Sequence, residues 1–284
     1  MTTEAQPSAP AIEATVVPVI LAVALGHFLN DLMQSLIPAA YPLLKDNLSL
    51  TFTQIGLITF VFQGTASILQ PLVGLYTDRR PLPYAMAGGM ASTGSGLVLL
   101  AHAQSFGMIL VSVALVGLGS AIFHPEASRI ARLAAGMRPG FAQSVFQVGG
   151  NTGSALGPLA AAFVVLQCGQ VSIEWFAVVA LAGMVVLYAV GRWYVAAGAQ
   201  RALAGKSRAR SSAPMPPSVV RKGMALLIPL MVSKFVYSVS LSSYYTFYLI
   251  EQFGLTKSGA NLCLFIFLAA VAAGTLIGGP IGDR

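Results

Sequence analysis

LSLTFTQIGLITFVFQGTASILQPLVGLYTDRR, residues 48–80, runs for thirty residues without a charge and then ends on Asp78, Arg79 and Arg80. A bilayer core roughly 30 Å thick takes about twenty apolar residues of helix to cross. The stretch is long enough, and its charges sit where the chain would emerge. Working outward, runs of spanning length recur at roughly 16–41, 54–76, 83–102, 106–127, 142–166, 173–194, 224–250 and 259–280. Eight spans place both termini on one side. Of the 284 residues 56% are hydrophobic and 9% charged, whereas soluble domains are about a quarter charged. A soluble chain this apolar could not cover its own surface, so the expected class is an all-α membrane protein with the bilayer as its partner.

The basic residues give the orientation. Thirteen of sixteen Lys and Arg fall at alternate breaks: Arg79 and Arg80; Arg129, Arg132 and Arg138; Arg192, Arg201, Lys206, Arg208, Arg210, Arg221 and Lys222; and Arg284. Lys45 and Lys257 alone occupy the other breaks, and Lys234 lies inside span seven. Basic loops stay in the cytoplasm, so both termini of this chain are expected there. The same placement explains the net charge of +7 without nucleic acid. Residues 1–15 are Pro/Ala-rich and lack the basic start of a signal peptide, so they read as a disordered cytoplasmic tail. Residues 16–194 form a six-span bundle. Residues 195–222, basic and rich in Ala, Ser and Pro, read as a cytoplasmic linker, and 223–284 as a partial second bundle of two helices. Cys168 and Cys263 have neither a CxxC spacing nor His companions, so no metal and no disulfide is expected.

Residues 44–79 align with 249–284 without a gap at a constant offset of 205. Leu50/Leu255, Thr51/Thr256, Phe60/Phe265, Phe62/Phe267, Gly74/Gly279, Asp78/Asp283 and Arg79/Arg284 coincide. The repeated G-x-x-x-D-R at a helix end is the specific part. Parallel six-helix repeats joined by a linker are a transporter architecture. The first copy runs on for four more spans and the second stops at its Arg, so the chain reads as a fragment or a truncated gene product.

These strings resemble a known family. GLYTDRR (74–80) is similar to the loop motif of the major facilitator superfamily, and GNTGSALGP (150–158) resembles the helix-five motif of its antiporters. HFLNDLMQSLIPAAYPLLK (27–45), GSAIFHPEASRIAR (119–132), AQSVFQVGGNTGSALGPL (142–159), SSYYTFYLIEQFGL (242–255) and AGTLIGGPIGDR (273–284) together resemble the bacterial fosmidomycin-resistance efflux proteins. The resemblance implies a major-facilitator fold. It also implies export of a small antibiotic in exchange for protons, by a monomeric carrier in the bacterial inner membrane. The first loop, DRRPLP, lacks the Gly and second basic pair of the superfamily pattern.

Ionisable residues within spans are expensive and point to function. His27 and Asp31, four apart, share a face of helix one with Gln34, and Asn30 lies beside them. They read as a proton-exchanging pair in a central cavity, or as an interhelical hydrogen-bond pair. His124, Glu126 and Arg129 lie near the end of helix four beside Pro125. An anionic substrate or a proton meets His124 and Arg129 on one reading; Glu126 and Arg129 form an interfacial ion pair on the other. Lys234 in helix seven, with Tyr237 and Tyr245 on its face, calls for a partner, either Asp31 or an acidic drug. On helix five Gln147 and Asn151 line the cavity or bond to neighbours, while Gly149, Gly153 and Gly157, followed by Pro158, permit close packing. Gly74, Asp78 and Arg79, repeated as Gly279, Asp283 and Arg284, read as a conformational gate or as topology anchors. No G-x-x-x-x-G-K-[ST] is present, so no nucleotide and no other cofactor is expected. Rival readings are metabolite uptake on the same fold, a non-transporting fragment, and a membrane-embedded enzyme. The last would need His27, His102 and His124 brought together from distant positions.

Overall fold

Three residues set the break between the first two spans. Ser49 takes a left-handed backbone, φ 50°, and ends the first helix. Thr51 then caps the second: its Oγ1 accepts from Gln54 N at 3.2 Å, while Gln54 Oε1 accepts from Thr51 N at 2.9 Å, a reciprocal capping box. The computed structural model describes residues 14–80, 82–203 and 216–282. Its helices are α1 Val17–Leu48, α2 Phe52–Arg79, α3 Ala85–Ala101 and α4 Phe106–Ala134. They continue with α5 Pro139–Cys168, α6 Phe176–Leu203, α7 Pro217–Phe253 and α8 Lys257–Gly282. No strand occurs among the described residues. A π turn, Ala161–Val165, follows Pro158 in α5, and a 3₁₀ turn, Gln170–Trp175, leads into α6. Seven of these helical segments are long and apolar enough to cross a membrane, and α3 is a shorter apolar helix of 17 residues.

Most of the helices outrun the spans expected from hydropathy, α3 (85–101 against 83–102) being the exception, because polar interfacial residues still favour helix once the apolar segment has nucleated it. The proposed linker is shortened for the same reason. Its first part, VAAGAQRAL (195–203), is helical as the end of α6, in keeping with its alanines, and α7 begins at Pro217. Residues 1–13 and 204–215 lie outside the described residues. Thr15, at the end of the expected tail, is pinned: its hydroxyl donates to Ala135 O at 2.9 Å. Val16 N donates to Ala134 O at 2.8 Å, so the start of α1 and the end of α4 share the basic end of the bundle. Cys168 and Cys263 are free thiols.

The buried core joins α1, α3, α4 and α5 through Ile20, Met33, Met90, Val113, Phe123 and Phe146. Outward faces stay apolar: Phe60 is 70% exposed, Phe163 69% and Val185 72%. Water would drive such patches together, whereas acyl chains cover them. α1 and α5 approach most closely along Gly149, Gly153 and Gly157. A Cβ at Gly153 would stand 2.2 Å from Phe28 O, and one at Gly149 2.3 Å from Ala24 O. Close backbone approach through small residues is how membrane helices associate. Gly153→Ala is therefore expected to lower stability by about 1–3 kcal/mol. Thermal unfolding in detergent checks this, and an unchanged midpoint would show that the two helices separate freely.

The two bundles meet at the end away from the basic residues. Lys257 pairs with Asp46, and buried Asn261 donates to Ala39 O at 3.1 Å. Phe52 meets Phe247 edge-on with centroids 5.2 Å apart. Toward the basic end α7 leaves the first bundle, and every described side chain from Ser218 to Tyr237 is exposed.

Candidate functional site

Asp31 sits between two imidazoles. Its Oδ2 is 3.3 Å from His27 Nε2, one helical turn earlier on α1, and its Oδ1 is 3.5 Å from His124 Nε2 on α4. Asn30 and Gln34 donate to Oδ1 at 3.1 and 3.3 Å, and Ser154 of α5 approaches Oδ2 at 3.5 Å. The side chains of His27, Asp31 and His124 are 6%, 17% and 25% exposed, so the cluster is largely buried, with His124 its most accessible member. The rings meet edge-on at 5.1 Å, and His27 stacks on Phe146 at 4.0 Å.

The outer nitrogens decide what this geometry holds. His27 Nδ1 is 2.8 Å from Phe146 O, and His124 Nδ1 is 3.0 Å from Ser120 O. A carbonyl only accepts, so in this bonding pattern each Nδ1 carries the hydrogen; Ser120 Oγ, 3.2 Å from His124 Nδ1, is placed to donate to that ring in its other tautomer. In a neutral Nδ1–H imidazole Nε2 is an acceptor, and against an ionised Asp31 acceptor meets acceptor. A proton at either contact turns repulsion into a charge-assisted hydrogen bond, so the Nδ1–H pattern leaves places for two protons. The three donor atoms also lie within 4.8 Å of one another, a spacing a metal ion could bridge; no metal is expected from the sequence.

Glu126 and Arg129 make their bonds outside this cluster. Arg129 Nη2 donates to Glu126 Oε2, and Nη1 donates at 2.8 Å to Thr77 O in the last turn of α2. That carbonyl has no intrahelical partner, and a cation suits a helix C-terminus. Asp78 Oδ1 is 3.9 Å from the same Nη1, and Tyr194 of α6 lies under the guanidinium at 5.6 Å. Arg129 thus ties α4 to the G-x-x-x-D-R end of α2. Gly74 lies beside Pro125, with 3.9 Å available to a Cβ. Arg79 is exposed, with no partner among the described residues. Gly279 falls in the last turns of α8, and Asp283 and Arg284 lie outside the described residues.

Other expected residues are not brought together. Lys234 and Tyr237 are exposed on the splayed half of α7, and Lys234 forms no ion pair among the described residues. Asp31, offered as its partner, is occupied by the imidazoles instead. Tyr245 is half-buried, its ring 6.3 Å from Phe267. Gln147 is exposed and Asn151 half-buried. Phe146, Gly150, Ser154 and Ser120 escaped the sequence reading. Two of them act through backbone carbonyls and one through a missing side chain, so residue type alone carries little signal.

The family model described as Major Facilitator Superfamily matches residues 23–284. The chain belongs to the major facilitator superfamily. A relative from this superfamily, the fosmidomycin resistance protein of Escherichia coli (strain K12), is 53% identical over 263 residues, 93% of this chain and 64% of the relative. The uncharacterized MFS-type transporter YfnC of Bacillus subtilis (strain 168) is 40% identical over 95% of this chain and 66% of its own length. The chain therefore spans just under two thirds of these relatives. A solved major-facilitator structure, a bacterial homologue of the human lysosomal transporter Spinster in an inward-facing, unoccupied conformation, superposes with a TM-score of 0.67. The overlap covers 95% of this chain and 63% of that one at 18% identity, a likeness of fold alone. Family and fold are those of transporters, not of enzymes.

Proposed function

We propose that this chain belongs to a secondary active exporter that expels small drugs such as fosmidomycin across the bacterial inner membrane in exchange for protons. The observation that carries this reading is Asp31 held between the Nε2 atoms of two imidazoles whose Nδ1 atoms lie against backbone carbonyls. A transmembrane carboxylate with two vacant proton positions suits an exchange cycle, in which protons taken up on one face leave when substrate binds. The name of the 53% identical relative supports fosmidomycin as the first substrate to try. Alternation between faces is supported by the contacts that join the two bundles at the Lys257–Asp46 end. By the positive-inside rule the basic end is cytoplasmic, so these contacts lie toward the outer face. In this scheme Arg129, Thr77 and Asp78 fasten the cytoplasmic ends of α2 and α4, and Lys234 and Tyr237 wait on α7 for an anionic drug. The working unit is the monomer.

Labelled fosmidomycin in whole cells tests the proposal. Cells expressing the full-length protein are expected to accumulate less drug than control cells, and an uncoupler is expected to abolish the difference. Higher accumulation than in controls, collapsing with the uncoupler, would mean uptake instead.

A further inference from the structure

α5 does more at this site than bring Ser154 to Asp31. The His27 ring lies flat on the Phe146 ring, with centroids 4.0 Å and planes 22° apart. Its Nδ1 is held at 2.8 Å by the Phe146 carbonyl. One turn further on the same face of α5, residue 150 has no side chain. A Cβ there would stand 2.3 Å from His27 Cε1, 2.4 Å from Nε2 and 2.8 Å from Nδ1. One helix therefore offers the ring a stacking face, an acceptor and a vacancy.

The neighbouring glycines differ in kind. At Gly149 the three nearest atoms belong to the backbone of Ala24, and at Gly153 to the backbone of Phe28 and Leu32. A methyl group at either position drives two helices apart whatever occupies position 27. At Gly150 all three nearest atoms belong to the His27 imidazole. The vacancy is matched to a side chain, and to the one whose Nε2 faces Asp31.

We propose that Gly150 and Phe146 are positioning residues of the coupling site: they hold His27 as an Nδ1–H donor and keep its Nε2 directed at Asp31. Glycine is required at position 150 by the imidazole, not by helix packing. The role in coupling rests on reading His27, Asp31 and His124 as the proton site. Among the described residues the titratable groups facing His27 are Asp31 on its own helix and His124 on α4; α5 brings Phe146 and Gly150 to it, and α4 also brings the Phe123 ring. A methyl at position 150 turns the ring off Phe146 and away from Asp31, so one proton position is lost while every titratable residue stays in the chain.

The test uses the purified full-length protein in detergent, as parent, Gly150→Ala, His27→Ala and the double variant, with the same set built on Gly149→Ala. Melting temperature and fosmidomycin-induced proton release across a pH series are measured. Gly150→Ala alone is expected to lose several degrees of melting temperature and to shift the pH profile of proton release. In the His27→Ala background it is expected to cost almost nothing, while Gly149→Ala costs the same in both backgrounds. Equal loss from Gly150→Ala with and without the imidazole would overturn the proposal, as would an unshifted release profile in a folded Gly150→Ala protein. The melting experiment needs no transport, so absence of proton release from the parent would sink the exporter reading while the Gly150–His27 coupling is still read.

Discussion

Replacing Asp31 by Asn is expected to reduce fosmidomycin resistance to that of cells without the carrier, while the protein stays folded. The variant keeps the shape of the side chain. Its amide can donate to one imidazole Nε2 across the present 3.3 or 3.5 Å, and the amide oxygen still accepts from Asn30, Gln34 or Ser154. No buried charge is left without a partner, so expression and melting temperature should stay near those of the parent. The function lost is proton exchange: an amide takes up no proton at neutral pH and does not hold a second protonated imidazole. Export should cease, and binding of the drug in detergent should persist. Resistance assays and equilibrium binding on the same preparations check both halves. Full resistance in the variant would remove Asp31 from the cycle.

Arg129→Met is expected to destabilise the protein by about 3–5 kcal/mol, the usual cost of leaving one member of a buried ion pair without its partner. Glu126 is 1% exposed, and its Oε1 has no hydrogen bond among the described residues. Among the described residues Arg129 is its only ion-pair partner. The methionine keeps the apolar stem and forfeits the bonds to Glu126 and Thr77 O. Glu126→Gln alone should be mild, because Arg129 keeps Thr77 O and the nearby Asp78 carboxylate. Adding Glu126→Gln to Arg129→Met should recover most of the loss, since the stranded charge is gone. A four-protein thermal unfolding series measures the coupling between the two sites. A loss under about 1 kcal/mol in Arg129→Met would mean that Glu126 finds another partner or a proton.

The spans were legible because the bilayer imposes a length that hydropathy reads directly. Their ends were not, since Ser49 and Thr51 set the α1–α2 break through backbone angle and capping, and α6 runs on to Leu203 on alanine-rich sequence. Within the site, His27 and Asp31 announced themselves by four-residue spacing on one helix, and Glu126 and Arg129 by three. His124 joins Asp31 only through the packing of α4 against α1, which no local pattern encodes. For Arg129 the spacing leaves open a meeting with substrate or a pair with Glu126; the structure shows the pair, and adds a bond to a carbonyl of α2 that no local pattern signals. Lys234 called for a partner because a mid-span ammonium needs one; the stretch of α7 that carries it has no described helix against it, so the side chain stays exposed.

The most direct test is drug-induced proton release from the purified full-length protein in weakly buffered detergent solution, followed with a pH dye. Saturating fosmidomycin is expected to expel protons from the parent and none from Asp31→Asn. Equal release from both proteins, or drug binding to the parent with no release, would contradict proton exchange at Asp31.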